Sequence, residues 1–168
     1  MLALTTEGSA EMVFDLARIA ALIAVLGIAV GYGTDVFCAM VMRPALALVD
    51  DDAVVAVMGH VHRYGDRRMP VPGVLGIVAT ATSAVLATMA AHWAQAIAAT
   101  AALMLLSIWL VLYIRVSAPI NRQLTAAASA GNRLSNRHAL QAKWDSVIDV
   151  RAGLQGLAVT ALCLALIV

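Results

Sequence analysis

Hydrophobic positions in this chain form long unbroken runs, not the spaced stripes of a soluble protein. The first run covers residues 19–42, reads IAALIAVLGIAVGYGTDVFCAMVM and lies between Arg18 and Arg43. At about 1.5 Å of helical rise per residue it reaches about 36 Å, enough to cross a hydrocarbon core of about 30 Å with some tilt. A second run covers 71–91 and a third 96–114. Only HWAQ separates them, which predicts a tight antiparallel pair with His92 and Trp93 at a membrane interface, where amphipathic rings are favoured. A fourth run covers 148–168 and places Arg151 at the membrane boundary. Two polar segments connect these runs. The one ending at Pro70 opens on the aspartates DDD, suited to a helix N-terminus. The other contains NRLSNRHALQAKWDSVIDVRAG, with Ser135 or Asn136 as a cap, and runs on into the fourth span. The pattern predicts a single all-α domain over 1–168: a membrane four-helix bundle with additional amphipathic helices in the two polar segments.

Composition strengthens this reading. The chain is 62% hydrophobic and 12% charged, with a mean hydropathy of +0.90. Soluble domains carry roughly twice that charge fraction, so the bilayer is the expected solvent. The net charge of +1 hides a strong segregation. Ten of the 11 basic residues fall in 43–70 and 115–151, which lie on the same side of the four spans. The positive-inside rule makes that side cytoplasmic and puts both termini outside an inner membrane. Segments 43–70 and 115–147 are then cytoplasmic. The opening stretch, MLALTTEGSAEMVFDLAR, is acidic before its first arginine, unlike a secretory signal, and reads as leading into a retained span. Cys38 and Cys163 lie far apart in apolar runs and read as small hydrophobic residues with free thiols. The basic residues flank spans and form no aromatic-lined groove, which excludes nucleic acid as a partner. Anionic headgroups suit them better, at about 1 kcal/mol each.

Polar residues inside the apolar runs carry the candidate chemistry. Asp35 lies about 10 Å inside Met42 by helical rise. A lone carboxylate there is costly, so it needs a partner, a proton or a wet cavity. Gly31, Asp35, Cys38 and Met42 share a helix face, and Gly27 with Gly31 forms a small-residue groove for another helix. Trp144, Ile148, Arg151 and Gln155 likewise share a face, which makes Arg151 the natural partner of Asp35. His60 and His62 point about 200° apart on a helix, so they do not ligate one ion together. His62 and Asp66 are four apart and share a face; a carboxylate so placed can orient a histidine base. No metal site is expected, since neither a CxxC nor a Cys/His zinc spacing occurs.

The order of features carries a family resemblance. A glycine-rich first span leads to MRPAL; a surface helix follows with HVHRYGDRRMP; the third span ends in APINRQL; and Trp144 then Arg151 in WDSVIDVRAG open the fourth. Over nearly its whole length the chain resembles the anthrone-oxygenase-like family of small four-span membrane proteins. That resemblance implies an oxidoreductase acting on a lipophilic aromatic or quinone-like substrate at the cytoplasmic membrane face. It also implies molecular oxygen as co-substrate and no further cofactor. The catalytic set would be His62, Asp66, Arg151 and Asn121. His62 would act as base, and Arg151, Asn121 or Arg115 would hold an enolate oxygen. Asp35, Trp144, Arg115 and Tyr32 would bind substrate, with Trp144 as an aromatic wall and Pro119 ending the third span. The expected partners are the lipid bilayer and a lipophilic small molecule, and a homo-oligomer is left open. Three other readings stand beside this one: a non-enzymatic membrane scaffold locked by Asp35 and Arg151, a small proton-coupled transporter using Asp35, and a redox-metal or haem site using His60, His62 or His138.

Overall fold

Pro44 and Pro119 each lack the N–H that a helix interior needs, and each ring crowds the carbonyl one turn back. The computed structural model describes residues 2–130 and 137–168, and in it helix runs through both prolines. Helix α1 (Leu2–Phe37) passes through a π-helical turn at Cys38–Met42 into α2 (Arg43–Leu46). In the same way, α5 (Trp93–Leu112) passes through a π-helical turn at Tyr113–Ser117 into α6 (Ala118–Ala130). At each turn an N–H bonds five residues back, from Arg43 to the Cys38 carbonyl and from Ala118 to that of Tyr113. Each widened turn ends two residues ahead of its proline and makes room for the ring. Pro119 therefore does not end the third span, as its chemistry had suggested.

The helices of membrane-spanning length and composition are Gly8–Leu46, Pro70–Met89, Trp93–Ala130 and Ala139–Ile167. The all-α, four-span bundle is the architecture found, with three of its spans longer than their hydrophobic runs. The polar segment after Met42 supplies α3 (Asp51–Arg68), which does begin at the aspartates: the Asp50 carboxylate accepts the Ala53 N–H at 2.9 Å. Asp51 and Asp52 occupy its first turn and Arg67 and Arg68 its last, both favourable to the helix dipole. The next helix, α4 (Pro70–Met89), follows almost at once. The last, α7 (Arg137–Ile167), is one long helix; the cap expected at Ser135 or Asn136 lies outside the described residues.

Helices α1, α4, α5 and α7 close a square in which each packs along two neighbours, and α3 lies along α6. Small residues make these contacts. Ala21, Ala24, Ala99, Ala102 and Ala158 are fully buried, while Leu26, Val74, Met104 and Leu157 are about three-fifths exposed. This distribution suits lipid, where helices associate through close packing of small residues and large apolar side chains face the solvent. The glycine groove on α1 receives α4. A Cβ on Gly27 would lie 2.9 Å from the Gly76 Cα and 2.8 Å from the Pro72 carbonyl oxygen. At the bundle end remote from the basic segments, His92 stacks on Phe14 with ring centroids 3.6 Å apart. Arg18 donates there to the Leu166 carbonyl at 3.0 Å, tying α1 to the end of α7.

Candidate functional site

Asp35 and Arg151 meet as their helical spacing anticipated. Arg151 Nη2 donates to Asp35 Oδ1 at 2.8 Å, and both side chains are buried. Gln155 Nε2 donates to Asp35 Oδ2 at 2.6 Å, and Trp109 Nε1 reaches the same oxygen at 3.4 Å. Arg151 Nη1 donates to the Ser117 hydroxyl at 2.7 Å. Its guanidinium also lies 5.5 Å from the Tyr113 ring centroid and 6.0 Å from that of Trp109, within cation–π range. One ion pair thus joins α1 to α7 and, through Ser117 and the two rings, to the α5–α6 rod. The Asp35 carboxylate is fully engaged by this network, as a buried charge must be.

Above this network, towards α3, is a cavity of about 230 Å³. Asp35, Arg151 and Gln155 line one wall, Trp109, Tyr113 and Trp144 provide aromatic surfaces, and Asn121 enters from α6. Helix α3 contributes His62 and Asp66. A bare glycine seats α3 on α6. A Cβ on Gly59 would lie 2.6 Å from the Leu124 carbonyl oxygen and collide with the Ala128 side chain, and Thr125 donates its hydroxyl to the Gly59 carbonyl at 3.3 Å. His62 follows Gly59 by three positions, so this close approach sets its height over the cavity.

The relation of His62 to Asp66 differs from the expected one. Asp66 Oδ1 accepts from Tyr113 Oη at 2.9 Å and from Asn121 Nδ2 at 3.0 Å. Asp66 therefore positions Tyr113 and Asn121, and His62 Nε2 is left buried with no partner among the described residues. Burial pushes the His62 imidazole down to a pKa of about 4; the Asp66 carboxylate opposes this shift and the Arg151 charge adds to it. Its ring is tilted at 55° to Trp144, with centroids 5.9 Å apart.

His62 Nε2 is not alone. Asn121 Oδ1, Trp144 Nε1 and Arg151 Nε are also buried without a hydrogen-bond partner among the described residues. All four belong to residues lining the cavity. A buried polar atom left unpaired costs about 1–3 kcal/mol, so four on residues around one cavity single it out as a place where a ligand can supply hydrogen bonds. Two are fixed donors (Trp144 and Arg151), Asn121 Oδ1 is an acceptor, and a neutral imidazole nitrogen serves as either. Because the Asn121 nitrogen is committed to Asp66, Asn121 offers an acceptor here and not the donor first assigned to it.

Two expected substrate contacts are not in the cavity. Tyr32 packs its ring against Gly156 of α7, 3.1 Å from where a Cβ would stand. Arg115 is exposed, because two positions along the helix turn it away from Tyr113. His60 is exposed, two positions from His62, as helical geometry requires. Trp109, Tyr113 and Ser117 had not been singled out. Their signal was their spacing: 109, 113, 117 and 121 advance in steps of four, one helix face leading to Asn121. Among the described residues, no three His, Cys, Asp or Glu side chains converge as metal ligands would. Comparison of the chain with family models, curated proteins and solved structures finds no match, so the chemistry of this cavity is what the functional reading stands on.

Proposed function

We propose that the chain is an inner-membrane oxidoreductase that uses molecular oxygen to oxidise a flat, lipophilic aromatic ketone, as the anthrone-oxygenase-like family it resembles does. Its basic end faces the cytoplasm. The observation that carries this reading is the set of four buried, unpartnered polar atoms on an aromatic-walled cavity at the membrane boundary.

With an anthrone as substrate, His62 Nε2 removes a proton from the ring CH₂ conjugated with the carbonyl. Trp144 Nε1–H and Arg151 Nε–H then hold the carbonyl oxygen as it becomes an enolate. A phenolic hydroxyl on the substrate donates to Asn121 Oδ1. A base whose conjugate acid has a pKa of about 4 is weak, so the two donors must carry much of the enolate's stabilisation. The enolate passes an electron to oxygen, and the two radicals combine through a carbon–oxygen bond to a hydroperoxide. The proton returned by His62 completes that hydroperoxide, and loss of water, which breaks its O–O bond and the remaining C–H bond, leaves a second carbonyl. One CH₂ and one O₂ become one C=O and one H₂O; the carbon gives four electrons and oxygen takes them.

The test is oxygen uptake together with quinone formation by the purified protein in lipid nanodiscs, given a soluble anthrone. The expected result is uptake above the spontaneous rate, with one oxygen consumed per quinone formed. Uptake equal to that of empty nanodiscs would remove anthrone oxidation from consideration.

One observation favours a second reading, a purely structural membrane subunit. The Asp35 carboxylate has every partner it needs within the bundle. The same engagement weakens the transporter reading, since a coupling carboxylate must exchange its proton or ion.

A further inference from the structure

Helix α3 lies closely along α6 but only sparsely against α1 and α4. Its second half therefore overhangs the cavity without being sealed to the helices on that side. Residues that both line the cavity and are exposed mark where it opens. They are Thr34 on α1, Val61 on α3, and Pro70 and Val74 on α4, with Val61 39% and Val74 60% exposed. These belong to three adjoining helices, and Pro70 begins a membrane-spanning helix. The opening thus lies at the bilayer boundary with a largely apolar rim.

Two glycines stand at this opening. Gly65 and Gly73 both line the cavity, and a Cβ on either would meet nothing within 4 Å. They contrast with Gly27, Gly59 and Gly76, where a Cβ would collide with a neighbouring helix. Gly65 and Gly73 do not serve helix packing; they leave space. Three further helical glycines, Gly8, Gly33 and Gly153, also face open space but do not line the cavity.

We propose that the cavity is loaded sideways from the bilayer, through the mouth between α3 and the α1–α4 pair, by a lipid-dissolved aromatic ligand, and that Gly65 and Gly73 set the width it admits. The proposal rests on the cavity being a ligand site and does not require turnover. A cavity of about 150 Å³ holds benzene, so one of about 230 Å³ takes a molecule of two or three fused rings. Such a molecule concentrates in the bilayer. It meets the apolar rim first and the unpartnered His62, Asn121, Trp144 and Arg151 groups further in.

Fluorescence quenching of the full chain in nanodiscs tests this. The protein has three tryptophans; in a Trp93→Phe background only Trp109 and Trp144 report, and both line the cavity. The probe is bromoanthracene dissolved in the lipid. Saturable quenching is expected, with half-saturation moved up about 10-fold or more in Gly65→Leu and Gly73→Leu. Gly33→Leu and Gly153→Leu should titrate like the parent. Should either mouth variant fail to fold, Val61→Phe and Val74→Phe narrow the same opening from side chains already exposed. Equal titrations in mouth and control variants would overturn the proposal, as would quenching that never saturates. Quenching of the same tryptophans by aqueous acrylamide, undiminished in the mouth variants, would place the entrance on the water side and also overturn it. Gated quenching without oxygen uptake would keep the portal and remove the oxidase reading; uptake indifferent to all four glycine substitutions would do the reverse.

Discussion

Arg151→Ala is expected to destabilise the protein by about 3–5 kcal/mol, the usual cost of leaving one member of a buried ion pair uncompensated. The change strands the Asp35 carboxylate within the apolar layer with only Gln155 and Trp109 to hold it, and it removes the link to Ser117. Asp35→Ala should cost a similar amount, because Arg151 would keep one hydroxyl partner and two aromatic faces but no counter-charge. The double variant Asp35→Leu with Arg151→Met should recover most of the loss, since well-packed apolar residues can replace a buried pair at little cost. Thermal unfolding of the purified variants in one detergent checks all three. A double variant no more stable than the worse single one would mean that the two charges do not act as a unit. The same double variant should show no oxygen uptake, because Arg151 is also one of the residues lining the cavity. That separates stability from activity at this position.

His62→Gln is expected to lower anthrone oxidation by about 10²–10⁴-fold, the range for loss of a general base, while leaving the unfolding temperature nearly unchanged. Glutamine keeps a polar group in the same place but takes no proton. The pH dependence carries a sharper signature. Burial disfavours the imidazolium, so the folded pKa falls to about 4 from an ordinary 6.5. The base is therefore neutral and active through the whole neutral range. The rate should hold steady as pH falls past 6.5 and decline only as it approaches 4. The linked stability has the same direction: it is complete above 6.5, where His62 is neutral folded or unfolded, and is lost as pH falls toward 4, because the unfolded chain binds the proton first. Rate measurements across this interval, with unfolding followed in parallel, read both. An inflection in rate near 6.5 that disappears in His62→Gln would show an ordinary, solvated imidazole and contradict the buried site.

The parts legible in the sequence were those set by a single helix. Hydrophobic runs of spanning length mark the four membrane helices, and residues at helical spacing paired Asp35 with Arg151 across two of them. The aspartates at 50–52 located the start of α3, and a two-residue offset correctly sent His60 away from His62. What depended on two helices at once was harder to read. Pro119 looked like a terminus because the wide turn that accommodates it has no residue signature of its own. The partner of Asp66 was read as His62, its neighbour on the same helix. The structure brings Tyr113 and Asn121 to that carboxylate from another rod, which leaves His62 Nε2 and the Asn121 oxygen without partners among the described residues. Gly59 in mid-helix was the available clue that α3 lies tightly on a neighbour, since a glycine there weakens a helix unless something approaches it.

The central claim is that the cavity beneath α3 is a ligand site completed by four waiting polar atoms. The measurement that tests it most directly is an absorbance titration of the protein in nanodiscs with a dihydroxyanthraquinone, a product-like ligand that carries both a carbonyl acceptor and a phenolic donor. The account expects a spectral shift that saturates at one ligand per chain and weakens about tenfold or more in both Trp144→Phe and Asn121→Leu, each of which removes one hydrogen bond into the cavity. Partitioning indistinguishable from that into empty nanodiscs, or saturable binding indifferent to both substitutions, would contradict it.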